Sequence, residues 1–330
     1  NYSQSSKVFD FPTILYTDID VTNLQRHVGT LRETAIQGLE VVAKADATTT
    51  DEQRYNLYYI KGYSYLLAGE YFRALPVENG GEVKGWKENL NLAISTFTEA
   101  LKFTSDTDET AFINTLIARA YYRLGDKVNA VKYASNVLTL STDFTKQVTF
   151  DGENNVISSI QGYIYGTNFQ PLPRLDFLDP KYFQTKAKEA RPICIAKAEE
   201  PYLILAEAAL ADNDVSGAKG FLKTLLTLVS NRPVATDIND QLEGRYNGGY
   251  KEYPNSSEYR VAASSEDEFR SGLVLDRQSP HLISVPYISG TSVTEEMIDA
   301  PTTVDGLLEV LYLMRQEIFM AEGRRAADLG

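Results

Sequence analysis

The sequence predicts a mostly α-helical protein, built of helical-hairpin repeats with long irregular loop-rich insertions and a few short strands. Three observations predict it. Apolar residues recur at three- and four-residue steps over much of the N-terminal half. Two segments, starting at Ala118 and Ala206, align with each other at the same spacing of small residues. The stretches 141–197 and 231–302 are rich in Thr, Gly, Asn and Pro, and are far longer than ordinary connections. One domain over residues 1–330 is expected, with helical repeats at about 21–139, 198–229 and 303–329.

The first helix is read from Leu24, Val28, Leu31, Ala35, Leu39 and Val42, which share one face between Val21 and Ala45. His27 lies on the same helix and is expected to pack. Thr50 followed by Gln53 is a capping-box pattern, so a second helix starts there and runs through Tyr55, Tyr58, Tyr59, Gly62, Tyr65 and Leu66. Pro76 to Gly85, with Gly80-Gly81 at its tip, reads as a loop. Trp86 to about Phe103 reads as the next helix.

The self-similar pair follows. Ala118 to Ala130 and Ala206 to Ala218 are both steps of 12, each continued by Ala134/Val137 and Leu222/Leu225. Small residues let two antiparallel helices approach closely. Asp126 and Asp214 are expected to cap the second helix of each hairpin. Gly125 and Asn213 suit the left-handed turn before it. This is the tetratricopeptide spacing, with weaker copies around Ala93–Ala100 and Ala35–Val42. Within the insertions, Val148–Phe150, Val156–Ile160 and Tyr163–Tyr165 read as short strands. A last helix starts at Thr303 or Asp305.

Composition removes several function classes. Hydrophobic residues at 43 % and charged residues at 23 % describe a folded chain. The 45 acidic residues outnumber the 32 basic ones, giving −13, which disfavours nucleic acid and anionic membrane surfaces. One cysteine, Cys194, and two separated histidines, His27 and His281, match no thiolate cluster or metal-ligand spacing. Cys194, between Ile193 and Ile195, is expected to be buried as a small apolar residue. His281 is expected at the surface. No apolar run reaches a membrane-spanning length, since Glu207 interrupts the stretch Tyr202–Ala211. The chain starts at Asn1, so a mature or trimmed form is expected, with any targeting segment removed. No nucleophile elbow, phosphate-binding loop or dinucleotide fingerprint is present, and no cofactor, metal or enzymatic activity is expected.

Three segments carry a resemblance. Lys61-Gly62-Tyr63-Ser64-Tyr65-Leu66-Leu67 leads through Tyr71-Phe72-Arg73-Ala74-Leu75-Pro76. Ala198-Glu199-Glu200-Pro201-Tyr202-Leu203-Ile204-Leu205-Ala206-Glu207-Ala208 follows. Leu313-Met314-Arg315-Gln316-Glu317-Ile318-Phe319-Met320-Ala321-Glu322-Gly323-Arg324-Arg325-Ala326-Ala327-Asp328-Leu329 closes the chain. In this order they resemble the SusD/RagB family of bacterial outer-membrane nutrient-binding lipoproteins. Glu317 and Glu322 stand five apart, one more than is common there. Similar proteins continue beyond this point, so a truncated chain or a divergent branch is expected.

The resemblance implies a surface-exposed lipoprotein of the outer membrane, anchored through an N-terminal lipid. It implies a SusC-like TonB-dependent transporter as partner, an oligosaccharide or in some branches a peptide as ligand, and no catalysis. Sugar rings stack on flat aromatics, so aromatics among polar loop residues are the candidate contacts. These are Trp86, the group Tyr163, Tyr165 and Phe169, and the group Tyr246, Tyr250 and Tyr253. For each, packing onto the protein body is at least as good a reading as contact with a ligand. The helical tyrosines are assigned to packing between repeats. Glu207 or Glu322 is expected to pair with an arginine near the end of the chain, where Arg324, Arg325 and Asp328 cluster, and to lock the last helix. A tetratricopeptide scaffold for a protein segment is the alternative function.

Overall fold

A computed structural model of the chain describes residues 19–154, 156, 158, 181, 189–239 and 282–324. These are mostly helical, with three two-stranded sheets among them. The chain divides into two compact units. One contains residues 1–146, 196–208 and 326–330; the other contains 147–195 and 209–325.

In the first unit, α1 (Ile19–Gln37) continues through a π-type turn, Gly38–Val42, into Ala43–Ala45. Val28, Ala35 and Leu39 are buried, as the period predicts. Val42 is 52 % exposed, and Ala43, at 6 %, takes the inward place. The π turn inserts an extra residue per turn and so shifts the face by one position. His27 is exposed, contrary to expectation. Each residue turns the helix by about 100°, and Val28 already holds the inward position.

Helix α2 (Asp51–Tyr71) begins at the expected capping box, Thr50 accepting from Gln53 N and the Gln53 side chain accepting from Thr50 N. It packs against α3 (Trp86–Ala100), which tightens into a 3₁₀ turn at Leu101–Phe103. A Cβ on Gly62 would lie 2.6 Å from Phe97 Cδ1, and one on Gly69 2.6 Å from Leu90 Cγ. The missing side chains are what lets these two helices close.

Helices α4 (Thr107–Leu124) and α5 (Lys127–Leu140) form the first aligned hairpin. Gly125 turns between them at φ 75°, and Asp126 accepts from Asn129 N at 3.1 Å. The second copy repeats both features with Asn213 at φ 59° and Asp214 accepting from Gly217 N at 2.8 Å. It joins α6 (Glu199–Ala211) to α7 (Val215–Ser230). The core residues Ala118, Ala134, Val137, Ala206, Ala218, Leu222 and Leu225 are all sealed from solvent.

Between α2 and α3 the chain forms β1 (Ala74–Pro76) and β2 (Val83–Gly85), where a loop was expected. β3 (Thr145–Val148) starts three residues before the predicted Val148–Phe150 and pairs with β4 (Ile193–Lys197). Val156 makes an isolated bridge to Asp151. In the second unit β5 (Val234–Asn239) pairs antiparallel with β6 (Leu282–Pro286), and a short α8 (Glu295–Asp299) precedes α9 (Val304–Ile318). β5, β6 and α8 lie in the stretch 231–302, read from sequence as irregular. Thr303 caps α9. The helix expected to reach 329 stops at Ile318, because the next residues turn through left-handed Ala321 (φ 58°) and Gly323 (φ 74°). Among the described residues no helix is long and apolar enough to cross a membrane.

Candidate ligand site

The β1–β2 hairpin pairs Ala74 with Gly85, Leu75 with Lys84 and Pro76 with Val83. Its turn is closed by Val77 N to Glu82 O (3.1 Å) and Gly81 N to Glu78 O (3.0 Å), with Gly80 at φ 71°. Three helices hold it in place. Tyr65 on α2 donates its hydroxyl to Val77 O at 3.1 Å. Burial pushes the Tyr65 phenol up, which keeps the donor proton in place. Asn89 on α3 donates to Lys84 O (2.9 Å) and Gly85 O (3.1 Å). Arg32 on α1 donates to Pro76 O. Leu75 is buried together with Val28 and Ala68.

Beside the hairpin, α1 leaves a cavity of about 320 Å³. The helix supplies Thr22, Gln25, Arg26, Gly29 and Arg32, and the turn supplies Pro76, Glu78 and Asn79. Positions 22, 25/26, 29 and 32 share one helix face. A Cβ at Gly29 would meet nothing within 4 Å, so the floor between the two arginines is open. Arg32 is buried, its guanidinium fixed by Pro76 O and by Glu33 at 3.0 Å. Arg26 is exposed. Chemically this is a concave patch of amide, hydroxyl and guanidinium donors, suited to a hydroxylated or anionic ligand.

Trp86 is half-buried at the other end of the hairpin strands from the turn. Its backbone N donates to Arg73 O at 3.0 Å, and the Lys87 ammonium sits 5.2 Å from the ring centroid. It does not line the cavity. The helical tyrosines pack between helices, as read from sequence. Tyr58 stacks on Phe103 at 5.5 Å, Tyr59 meets Phe112 edge-on at 5.0 Å, and Tyr121 stacks on Tyr133 at 5.6 Å. Tyr55 donates to Glu109 Oε2 at 2.5 Å, and Glu109 also pairs with Lys146. Burial first, and the Glu109 carboxylate second, push the Tyr55 phenol well above the usual tyrosine range.

The acids of the resembling segments are tied into the structure, Glu200 and Glu317 buried and Glu207 half-buried. Glu200 on α6 takes a two-pronged contact from Arg119 on α4, Nε at 2.8 Å and Nη2 at 2.6 Å. Glu207, two turns along, accepts from Tyr122 at 2.8 Å. In the second unit Glu317 accepts from Thr291 Oγ1 (2.7 Å), Ser292 N (2.7 Å) and Ser292 Oγ (2.6 Å). Glu322 pairs with Lys181 at 2.6 Å, both side chains being 4 % exposed. Lys181 also reaches the carbonyls of Ile318 and Met320 at the end of α9. Arg324 and Cys194 are buried. These contacts tie neighbouring segments together.

The chain resembles known proteins in its fold. No protein-family model matches it, and no curated protein matches it. Solved structures do. A SusD-like carbohydrate binding protein from Bacteroides vulgatus ATCC 8482 superposes with a TM-score of 0.52 at 13% identity, covering 94% of this chain and 69% of its own. A SusD-like protein from Bacteroides fragilis NCTC 9343 gives 0.54 at 11% identity, covering 97% of this chain and 77% of its own.

The fold is SusD-like.

A third chain, also from Bacteroides vulgatus ATCC 8482, superposes at only 0.45 and covers 63% of this chain and 65% of its own. The chain thus spans between 65% and 77% of the length of these structures. A shared fold fixes the scaffold, while function resides in sites carried on it. On this SusD-like scaffold, Tyr163, Tyr165, Phe169, Tyr246, Tyr250, Tyr253, His281, Arg325 and Asp328 lie outside the described residues. Sequence reading singled out Trp86 and passed over Arg26, Gly29, Arg32 and Asn79. The signal was an Arg-x-x-Gly-x-x-Arg step of three, which puts both arginines and a gap on one helix face.

Proposed function

We propose that this protein is a non-catalytic glycan-binding protein of the bacterial cell surface, which hands oligosaccharide to a SusC-like TonB-dependent transporter. The observation that carries the reading is the SusD-like fold. It is shared over nearly the whole chain with a SusD-like carbohydrate binding protein. Trp86, at the start of α3, and Tyr163, Tyr165, Phe169, Tyr246, Tyr250 and Tyr253 are the proposed stacking contacts. Aromatic faces placed among polar groups suit the apolar C–H face of a sugar ring. An N-terminal lipid anchor and an outer-membrane location belong to the same proposal.

The test is calorimetric titration of the purified chain with a panel of oligosaccharides and peptides. It is repeated with Trp86→Ala and with Tyr246, Tyr250 and Tyr253 all changed to alanine. Saturable glycan binding, weakened at least tenfold by one of these variants, supports the reading. Binding of peptides alone, or release of reducing ends from any glycan, overturns it. Co-purification with a TonB-dependent transporter from the native outer membrane tests the partner.

A further inference from the structure

We infer that the cavity between α1 and the β1–β2 turn is an anion-selective subsite, which holds the carboxylate of an acidic saccharide. This rests on the glycan-binding reading and adds a substrate class to it. The argument starts from charge. The whole chain carries −13, yet the cavity's described lining holds two guanidinium groups and a single carboxylate, Glu78. Arg32 is already paired with Glu33, so Arg26 is the guanidinium that remains for an anion. A concave site focuses the field of its own charges, so the Arg26 guanidinium acts on a ligand there more strongly than it would on open surface.

The two arginines are prepared differently. Arg32 is 6 % exposed and its guanidinium is held by Pro76 O and Glu33 Oε1, so little side-chain entropy remains to be lost on binding. Arg26, two helical steps of three away, makes no hydrogen bond or ion pair with any described residue. A guanidinium presents a planar fork of donors that matches a carboxylate. Between them Gly29 leaves the floor empty. The rim adds amide groups, Gln25 and Asn79, which pair with ring hydroxyls. A volume of about 320 Å³ sits at the small end of ligand pockets, which run from about 300 to 1,000 Å³. That is room for a terminal sugar unit and its charged group, not for a long chain.

The probe is tetragalacturonate, with its fully methyl-esterified form as the neutral counterpart and citrate as a non-sugar carboxylate. Calorimetry on the full chain reads each. The expected result is tetragalacturonate binding at least tenfold tighter than the ester. Arg26→Gln is expected to cut that binding at least tenfold and to narrow the preference for acid over ester. Gly29→Leu fills the floor and is expected to abolish tetragalacturonate binding. Its unchanged circular dichroism and melting temperature would show that the fold is intact, since the new side chain enters open space. Equal binding of acid and ester, or binding untouched by both variants, overturns the subsite while the glycan reading stands. Citrate binding with no saccharide binding overturns the saccharide assignment of the subsite, while the glycan reading is decided by its own panel of oligosaccharides. Absence of all binding overturns the subsite as well.

Discussion

Arg119 and Glu200 are the pair on which most depends locally, with side chains 2 % and 5 % exposed. Two charges taken out of water are expensive to separate once paired, because removing one leaves the other buried and bare. Arg119→Met is therefore expected to destabilise by about 3–5 kcal/mol in urea titration. Changing Glu200→Leu in the same chain is expected to recover most of that loss. A double variant no better than the single one would show that the pair is not the source. Tyr55 supplies the alkaline counterpart. Its folded-state pKa lies above the 10.0 of a free tyrosine, so its contribution is complete below pH 10.0 and is lost as pH rises beyond it. Tyr59 is shifted the same way, chiefly by burial. Thermal melts above pH 10.0 should fall less steeply for Tyr55→Phe than for the parent chain.

At the scale of elements, the close packing of α2 on α3 makes Gly62 a stringent position. Gly62→Val drives a side chain into the Phe97 ring and is expected to cost about 1–3 kcal/mol, despite valine's better helix propensity. Shortening the obstacle with Phe97→Leu should make the double variant more stable than additivity predicts, by about 0.5–3 kcal/mol in denaturant titration. Strict additivity would show that the two residues do not compete for the same space. Elements of this kind were legible in the sequence wherever their causes are local. The Thr50/Gln53 box, the Asp126 and Asp214 caps and the Gly125/Asn213 turns each need only a few neighbouring residues. The β5–β6 pair was not legible, because its partners are separated by the stretch 240–281 and neither strand alternates clearly. The β1–β2 hairpin was hidden by Pro76 and its glycines, which read as loop. The end of α9 was missed because Met320, Ala321 and Glu322 favour helix, while Ala321 and Gly323 take left-handed backbone. The candidate site was legible in half. Arg26, Gly29 and Arg32 share a face by arithmetic, but the hairpin that encloses that face is over forty residues further along the chain.

At the scale of the whole molecule, charge sets solution behaviour. With 45 acids against 32 bases the isoelectric point is near 4.8, so solubility should reach its minimum there and recover on either side. Turbidity across a pH series reads this directly, and a minimum above pH 7 would contradict the count. The scarcity of one residue has a use of its own. Trp86 is the only tryptophan among the 330 residues, and its backbone is bonded to Arg73 at the open end of the hairpin whose turn borders the cavity. Red-edge excitation therefore addresses a single indole, with an ammonium group already resting on its face. Any ligand that shifts the hairpin or displaces Lys87 changes that emission. The protein thus carries its own optical gauge of occupancy, and a titration can be followed without a label.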